Sequence, residues 1–350
     1  MRTPKPISAQ TVVLTGASSG IGLATARLLA NRGAKLVLVA RNEPALKALA
    51  EELKVKGAKV EVVAADVGDE TALRQAASVA SSRFGGFDAW VNNAGVSIYG
   101  RISDTPLEDQ RRLWETNYWG VVHGSRIAVE HLRGRTGGGT LINVGSVLSD
   151  FPVPVQGVYS ASKHAVKGFT NALRMELLAD APAVQVTLIK PSAIDTPYKE
   201  HGRNLTGAPV TNPPPVYAAP LVAEAILHAL QRPARELTVG FGGRALAWTG
   251  QFLPALAQPL FARVVPALTK AKEPAGSGGD ALHAPGRDLR ERAPYPFVRE
   301  TSLWLEAQRR PEVTAAVLAG AALLLWATAR SRRALRHHRI RREVRAEYDS

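Results

Sequence analysis

Cysteine is missing from this chain of 350 residues. Its absence excludes disulfides, thiolate metal sites and a cysteine nucleophile, and it fits a reducing compartment. A secretory start is missing too. Met1 to Gln10 is short and polar, with Pro4 and Pro6 and no apolar h-region, so the main body of the chain is expected in the cytoplasm. Acidic residues are scarce: 30 Asp and Glu face 44 Lys and Arg, a formal net charge of +14. Such an excess serves a nucleic acid, a membrane surface or solubility, and its placement has to decide among them. The histidines are scattered or lie in the tail, so no metal site is expected. Hydrophobic residues make up 45% of the chain, an ordinary share for a protein with a proper core.

Short apolar runs alternate with helical patterns over the first two-thirds. The runs are Thr11–Leu14, Lys35–Ala40, Lys59–Ala64, Ala89–Asn92, Thr140–Val144 and Gln185–Ile189. They are rich in β-branched residues and nearly continuous in hydrophobicity, as strands buried on both faces of a parallel sheet are. Between them, stretches such as Ile21–Asn31 and Pro44–Lys54 carry apolar residues at helical spacing. The alternation predicts an α/β fold, a Rossmann-type doubly wound parallel sheet with helices on both faces. A last strand is expected at Glu236–Val239. The expected domains are residues 1–245 as the α/β unit, 246–312 as an extension and linker, 313–329 as a hydrophobic helix and 330–350 as a basic tail.

Gly16, Gly20 and Gly22 fall between the first strand and the first helix, in Thr15-Gly16-Ala17-Ser18-Ser19-Gly20-Ile21-Gly22. Glycines there permit a tight turn and let the backbone approach a pyrophosphate at the helix N-terminus. Tyr159 and Lys163 stand four residues apart, on one face of a helix and one turn from each other. A phenol ionises near pH 10. A neighbouring ammonium is expected to lower that value, fitting Tyr159 to exchange a proton with an alcohol or a developing alkoxide. Ser146 can hydrogen-bond the same substrate oxygen.

In its ordered motifs the sequence resembles the short-chain dehydrogenase/reductase family over about residues 8 to 243. The turn matches that family's TGxxxGxG motif, and Asn92-Asn93-Ala94-Gly95 its NNAG motif. Asn117, Ser146, Tyr159 and Lys163 follow the order and spacing of its catalytic tetrad. The resemblance implies an oxidoreductase that moves a hydride between a nicotinamide cofactor and a carbonyl or secondary alcohol. It implies that Lys163 also holds the nicotinamide ribose and that Asn117 organises a water-linked proton relay. It places cofactor contacts at Gly16, Ser18, Ser19, Gly20, Ile21 and Gly22, at Asn93 and Ala94, and at Asp66 and Val67 beside the adenine. Ile194 and Thr196 match positions at the carboxamide end. Ser192 departs from the family's more usual Pro-Gly after Pro191, which puts the geometry of that loop in doubt. Dimers or tetramers are expected by analogy only.

No carboxylate precedes Arg41 in Leu38-Val39-Ala40-Arg41-Asn42. At the end of a second strand an acidic residue bonds a ribose 2′-hydroxyl, whereas an arginine favours a 2′-phosphate, so NADP(H) is the expected cofactor. Tyr198–Tyr217, with Pro213, Pro214 and Pro215, reads as a flap over the substrate. Phe151, Val153, Pro154 and Val155 suit either an apolar pocket or plain packing, leaving a lipophilic substrate open.

Leu246–Leu268 is apolar, but its prolines at 254, 259 and 266 argue against one long straight helix. Lys270–Pro296 reads as a linker. Val313–Ala329 is 17 residues without a charge, followed by eight arginines from Arg330 to Arg345. That length is at the lower limit for a membrane span, and Trp326 suits an interface. The expectation is a transmembrane or membrane-surface helix that puts the catalytic domain at the inner face of a membrane. A hairpin with Leu246–Leu268, which its prolines and Arg263 make costly, packing on a partner subunit and a buried soluble helix are the alternatives. Nucleic acid is not expected, since no recognition fold accompanies the charge. A catalytically silent NADP-binding scaffold is the rival to the enzyme.

Overall fold

A computed structural model describes residues 5–270, 280–286, 288–326, 328 and 330. Seven parallel strands form the central sheet. They are β1 (Thr11–Thr15), β2 (Lys35–Ala40), β3 (Val60–Ala64), β4 (Ala89–Asn92), β5 (Gly139–Val144), β6 (Val184–Pro191) and β7 (Glu236–Val239). Their spatial order is β7-β6-β5-β4-β1-β2-β3. The order reverses between β1 and β4, and in open α/β sheets that reversal opens the ligand crevice at the carboxyl ends of the strands.

Successive residues of each strand feed opposite layers. Val12 and Leu14, with Leu36 and Leu38, point into a core shared with α1 (Gly20–Asn31), α2 (Glu43–Val55) and α8 (Ala219–Gln231). Val13, Val37 and Val39 point into the other, built with α3 (Glu70–Phe84), α5 (Gly120–Arg133) and the end of α6 (Gly157–Asp180). This two-sided burial explains why the strands read as unbroken apolar runs. Each fully buried Leu or Val side chain contributes about 1.5–3 kcal/mol. Local signals set the helix ends: Asn42 caps α2 by accepting from the Ala45 amide at 3.1 Å, and Asp69 caps α3 by accepting from Thr71 and Ala72.

On the other side of the crevice α4 (Leu107–Trp114) runs into a π-helical turn at Glu115–Trp119 and then α5. α7 (Tyr198–His201) and short strands at Arg203–Asn204 and Val216–Ala218 lie within the segment expected as a flap. As the prolines predict, the apolar stretch after β7 is two helices, α9 (Phe241–Phe252) and α10 (Pro254–Leu268), meeting at Leu253.

The stretch read as a linker holds an ordered strap in its described part. Residues 280–286 and 288–302 run back over the core of the first unit, and Val298–Arg299 pairs in parallel with Val216–Tyr217. They precede α11 (Leu303–Arg309). Met1–Leu305 forms one compact unit and Glu306–Ser350 a second.

In the second unit residues 311–326, 328 and 330 are helical. Among the described residues no helix is long and apolar enough to cross a membrane. That corrects the expectation of a transmembrane helix. Arg330 lies 5.2 Å from the Trp326 ring centroid. The rest of the basic tail, 331–350, is outside the described residues.

Candidate active site

One cavity of about 470 Å3 runs along the carboxyl ends of the strands. At one end stand Arg41, Asp66 and Val67; at the other Ser146, Tyr159 and Lys163. Gly16, Ser18, Ser19, Gly20 and Ile21 form its floor between them, with Asn93 and Ala94 alongside and Ile194 and Thr196 opposite. Of the residues expected at the site, Gly22 and Asn117 alone do not line it.

The floor needs its glycines. Gly16 and Gly20 have φ of 65° and 51°, where side chains are strained. A Cβ on Gly22 would fall 1.9 Å from the Gly16 carbonyl oxygen, and one on Gly16 2.8 Å from Ala94 Cα. Asn93 fastens the turn from behind, its Nδ2 donating to the carbonyls of Thr15 (3.0 Å) and Gly16 (3.2 Å). A glycine-rich backbone turn at a helix N-terminus suits a pyrophosphate, although its Gly20 amide here donates to the Arg290 carbonyl at 2.9 Å, and an elongated cavity of this kind fits a dinucleotide.

Tyr159 and Lys163 stand one turn apart on α6, both buried. Lys163 Nζ donates to the Val144 carbonyl at 3.0 Å and lies 5.7 Å from the Tyr159 ring centroid. Burial alone pushes the Lys163 ammonium down to about 8. Burial pushes the Tyr159 phenol up, and the hydroxyls of Tyr198 and Ser146 offset part of the rise. The net direction is opposite to the lowering expected from the lysine. Desolvation of the phenolate outweighs its neighbours here, and the group stays a protonated acid at neutral pH.

Ser146 begins a single 3-10 turn, accepting from the Leu148 amide at 3.1 Å, and the turn aims it at Tyr159. Asn117 sits in the π-helical turn and is fully buried. Its Oδ1 accepts from Val96 N (2.8 Å), and its Nδ2 donates to Val96 O (3.0 Å) and Ser162 Oγ (3.2 Å). Ser162 in turn donates to the Tyr159 carbonyl at 2.7 Å. Asn117 thus ties the loop at Val96 to the helix that carries the tyrosine. π-helical turns favour such functional positions.

At the far end, Arg41 donates to the carbonyls of Leu282 (3.2 Å) and Ala281. Asp66 pairs with Arg112 and accepts from Gly68 N at 3.0 Å. Burial works against ionisation of Asp66, but the Arg112 bond, the Gly68 amide and the charges of Arg112 and Arg41 together hold its pKa below the usual value. Asp66 does not cap α3; Asp69 does.

Three participants escape a sequence reading. Tyr198 lies edge-on to Tyr159, ring centroids 5.9 Å apart, and donates to the Val96 carbonyl. Its position two residues after Thr196 was the available signal. Arg112 gives no signal beyond its charge. The strap enters through main-chain carbonyls, which leave no trace in residue identity. Phe151 and Val153 pack with Ala247, Val265 and Phe261, so the first is packing, whereas Val153 also faces the cavity.

Comparison with known proteins agrees with this geometry. The family model described as short chain dehydrogenase matches residues 10–204. A curated relative, the uncharacterized oxidoreductase YxnA of Bacillus subtilis (strain 168), is 43% identical over 329 residues, covering 93% of this chain and 92% of the relative. That span necessarily includes the strap. Among solved structures, a short chain dehydrogenase/reductase from Burkholderia phymatum in complex with NAD superposes with a TM-score of 0.65 at 26% identity, covering 72% of this chain and 96% of that one. An alcohol dehydrogenase from Thermococcus sibiricus, complexed with 5-hydroxy-NADP, gives 0.58 at 28% identity, covering 66% and 95%. Such a cofactor is thus NAD in one neighbour and an NADP derivative in the other. With its parallel sheet, glycine turn and buried Ser-Tyr-Lys cluster, the chain belongs to the short-chain dehydrogenase family of oxidoreductases.

Proposed function

We propose that this oxidoreductase uses NADP(H) to interconvert a carbonyl and a secondary alcohol, with Tyr159 as general acid/base. The observation that carries the reading is the convergence of Ser146, Tyr159 and Lys163 at one end of a cavity whose other end holds Arg41. When bound, the nicotinamide gives or takes the hydride. The chain's own groups handle the oxygen. Ser146 orients it by a hydrogen bond, and Tyr159 donates the proton that a developing alkoxide needs. A phenol raised by burial suits the acid role, hence reduction. Lys163 places positive charge beside the phenol, and Asn117 holds Val96 and Ser162 in register with it. Arg41 supports NADP(H), because a guanidinium matches a phosphate.

The substrate end is apolar. Leu148, Val153, Phe261, Val264 and Leu268 line it, which favours a lipophilic carbonyl. The test is NADPH oxidation against carbonyls graded by size and polarity, with Tyr159→Phe as control. Removal of the phenolic proton should lower kcat by about 10²–10⁴-fold with cofactor affinity retained. Faster turnover of small polar carbonyls than of apolar ones would overturn the substrate class. NADPH binding with no turnover across the panel would turn the balance to a silent scaffold.

A further inference from the structure

The strap meets the cofactor cavity where the family match offers no residues, since that match ends at 204. Its backbone is fastened on both sides of the adenosine end. Asn42 Nδ2 donates to Gly286 O at 3.3 Å. Leu289 N donates to Ser18 O, and Gly20 N to Arg290 O, each at 2.9 Å. Leu289 itself has a φ of 66°, a left-handed conformation that the flanking bonds impose. Asp288 is pinned between these anchors, from the end of β2 to the phosphate-binding turn, and it lines the cavity together with Arg41 and Gly286.

We propose that Asp288 is a specificity-determining residue of the cofactor site, one that opposes Arg41 and lets the site accept both NAD(H) and NADP(H). This rests on the dinucleotide reading of the cavity. Arg41 attracts a 2′-phosphate, but two of its donors are held by the Ala281 and Leu282 carbonyls. Burial works against the Arg41 charge, and the negative charges of Asp66 and Asp288 support it. A carboxylate there accepts from a free ribose hydroxyl and repels a phosphate at the same position. The acidic residue that is missing before Arg41 is thereby supplied from 247 positions further along the chain, by a segment wrapped over the groove.

The experiment measures Kd for 2′,5′-ADP and 5′-AMP by calorimetry on the full chain, wild type against Asp288→Asn, Asp288→Ser and Asp288→Glu. Asp288 is half-exposed, and circular dichroism checks that each variant folds. Loss of the carboxylate in Asn and Ser should raise the preference for 2′,5′-ADP over 5′-AMP by at least about fivefold, through tighter binding of the phosphorylated probe, while Glu keeps the wild-type ratio. A ratio unchanged within about twofold in both neutral variants, or an equal loss for both probes, overturns the assignment. Failure of both probes and of NADPH to bind the wild type overturns the dinucleotide reading itself, and this inference with it.

Discussion

Tyr159 and Lys163 are shifted in opposite directions by the same cause. Burial disfavours the charged form of each, so the phenol rises and the ammonium falls to about 8. The tyrosine therefore keeps its proton across the neutral range, and the lysine is the group that titrates first as pH rises. Its charge is present below about 8 and is lost above it. For carbonyl reduction this predicts kcat/KM level near neutrality and falling on an alkaline limb near that value. In Lys163→Arg, where the cation does not titrate, the limb should move well upward even if the rate is lower. A wild-type profile flat to pH 10 would remove Lys163 from the proton chemistry.

At the level of elements, α5 approaches β4 closely through Gly124. A Cβ there would meet Asn92 Oδ1 at 2.1 Å and Trp90 Nε1 at 2.7 Å. Those atoms belong to a buried network in which Asn92 accepts from Trp90 (2.7 Å) and donates to Asn143 (2.9 Å) and Ser125 (3.2 Å). Gly124→Ala should therefore destabilise by about 1–3 kcal/mol or more, from overpacking and a strained polar network. Urea melts that leave the midpoint unchanged would show that the helix can shift at no cost. Much of this layer is legible in the sequence. The strand runs, the glycine turn and the Tyr159–Lys163 spacing all depend on nearby residues and on side-chain type. The strap is not legible, because Ala281, Leu282 and Arg290 act through carbonyls that any residue possesses. A Pro- and Gly-rich stretch reads the same whether it dangles or docks. The net rise of the Tyr159 pKa was equally hidden, since burial of both partners is set by tertiary packing.

For the whole molecule, the cavity couples ligand to fold. It is walled by β1, β2, the α6 helix and the strap, so a dinucleotide held there stabilises segments far apart in sequence. NADPH at 100 times its Kd should add about 2.7 kcal/mol to unfolding, read as an upward shift in Tm that NADH shares if Asp288 acts as proposed. No shift with either nucleotide would contradict the cofactor reading. The hydrophobic run near the C-terminus shows the limit of composition at this scale: an uncharged stretch of Ala and Leu reads alike as a core helix and as a span, and among the described residues no helix is long and apolar enough to cross a membrane.

The bond from Ser19 to Arg290 joins residues 271 positions apart. During synthesis the phosphate-binding turn emerges first, and its outer wall follows roughly 15–50 s later at about 5–20 residues per second. The sheet can assemble in that interval, but the groove has no roof until the strap arrives. Closure is thus among the last events of folding. A nascent chain arrested before residue 280 would present the phosphate-binding turn without Leu289 and Arg290 upon it, its Gly20 amide free of the Arg290 carbonyl.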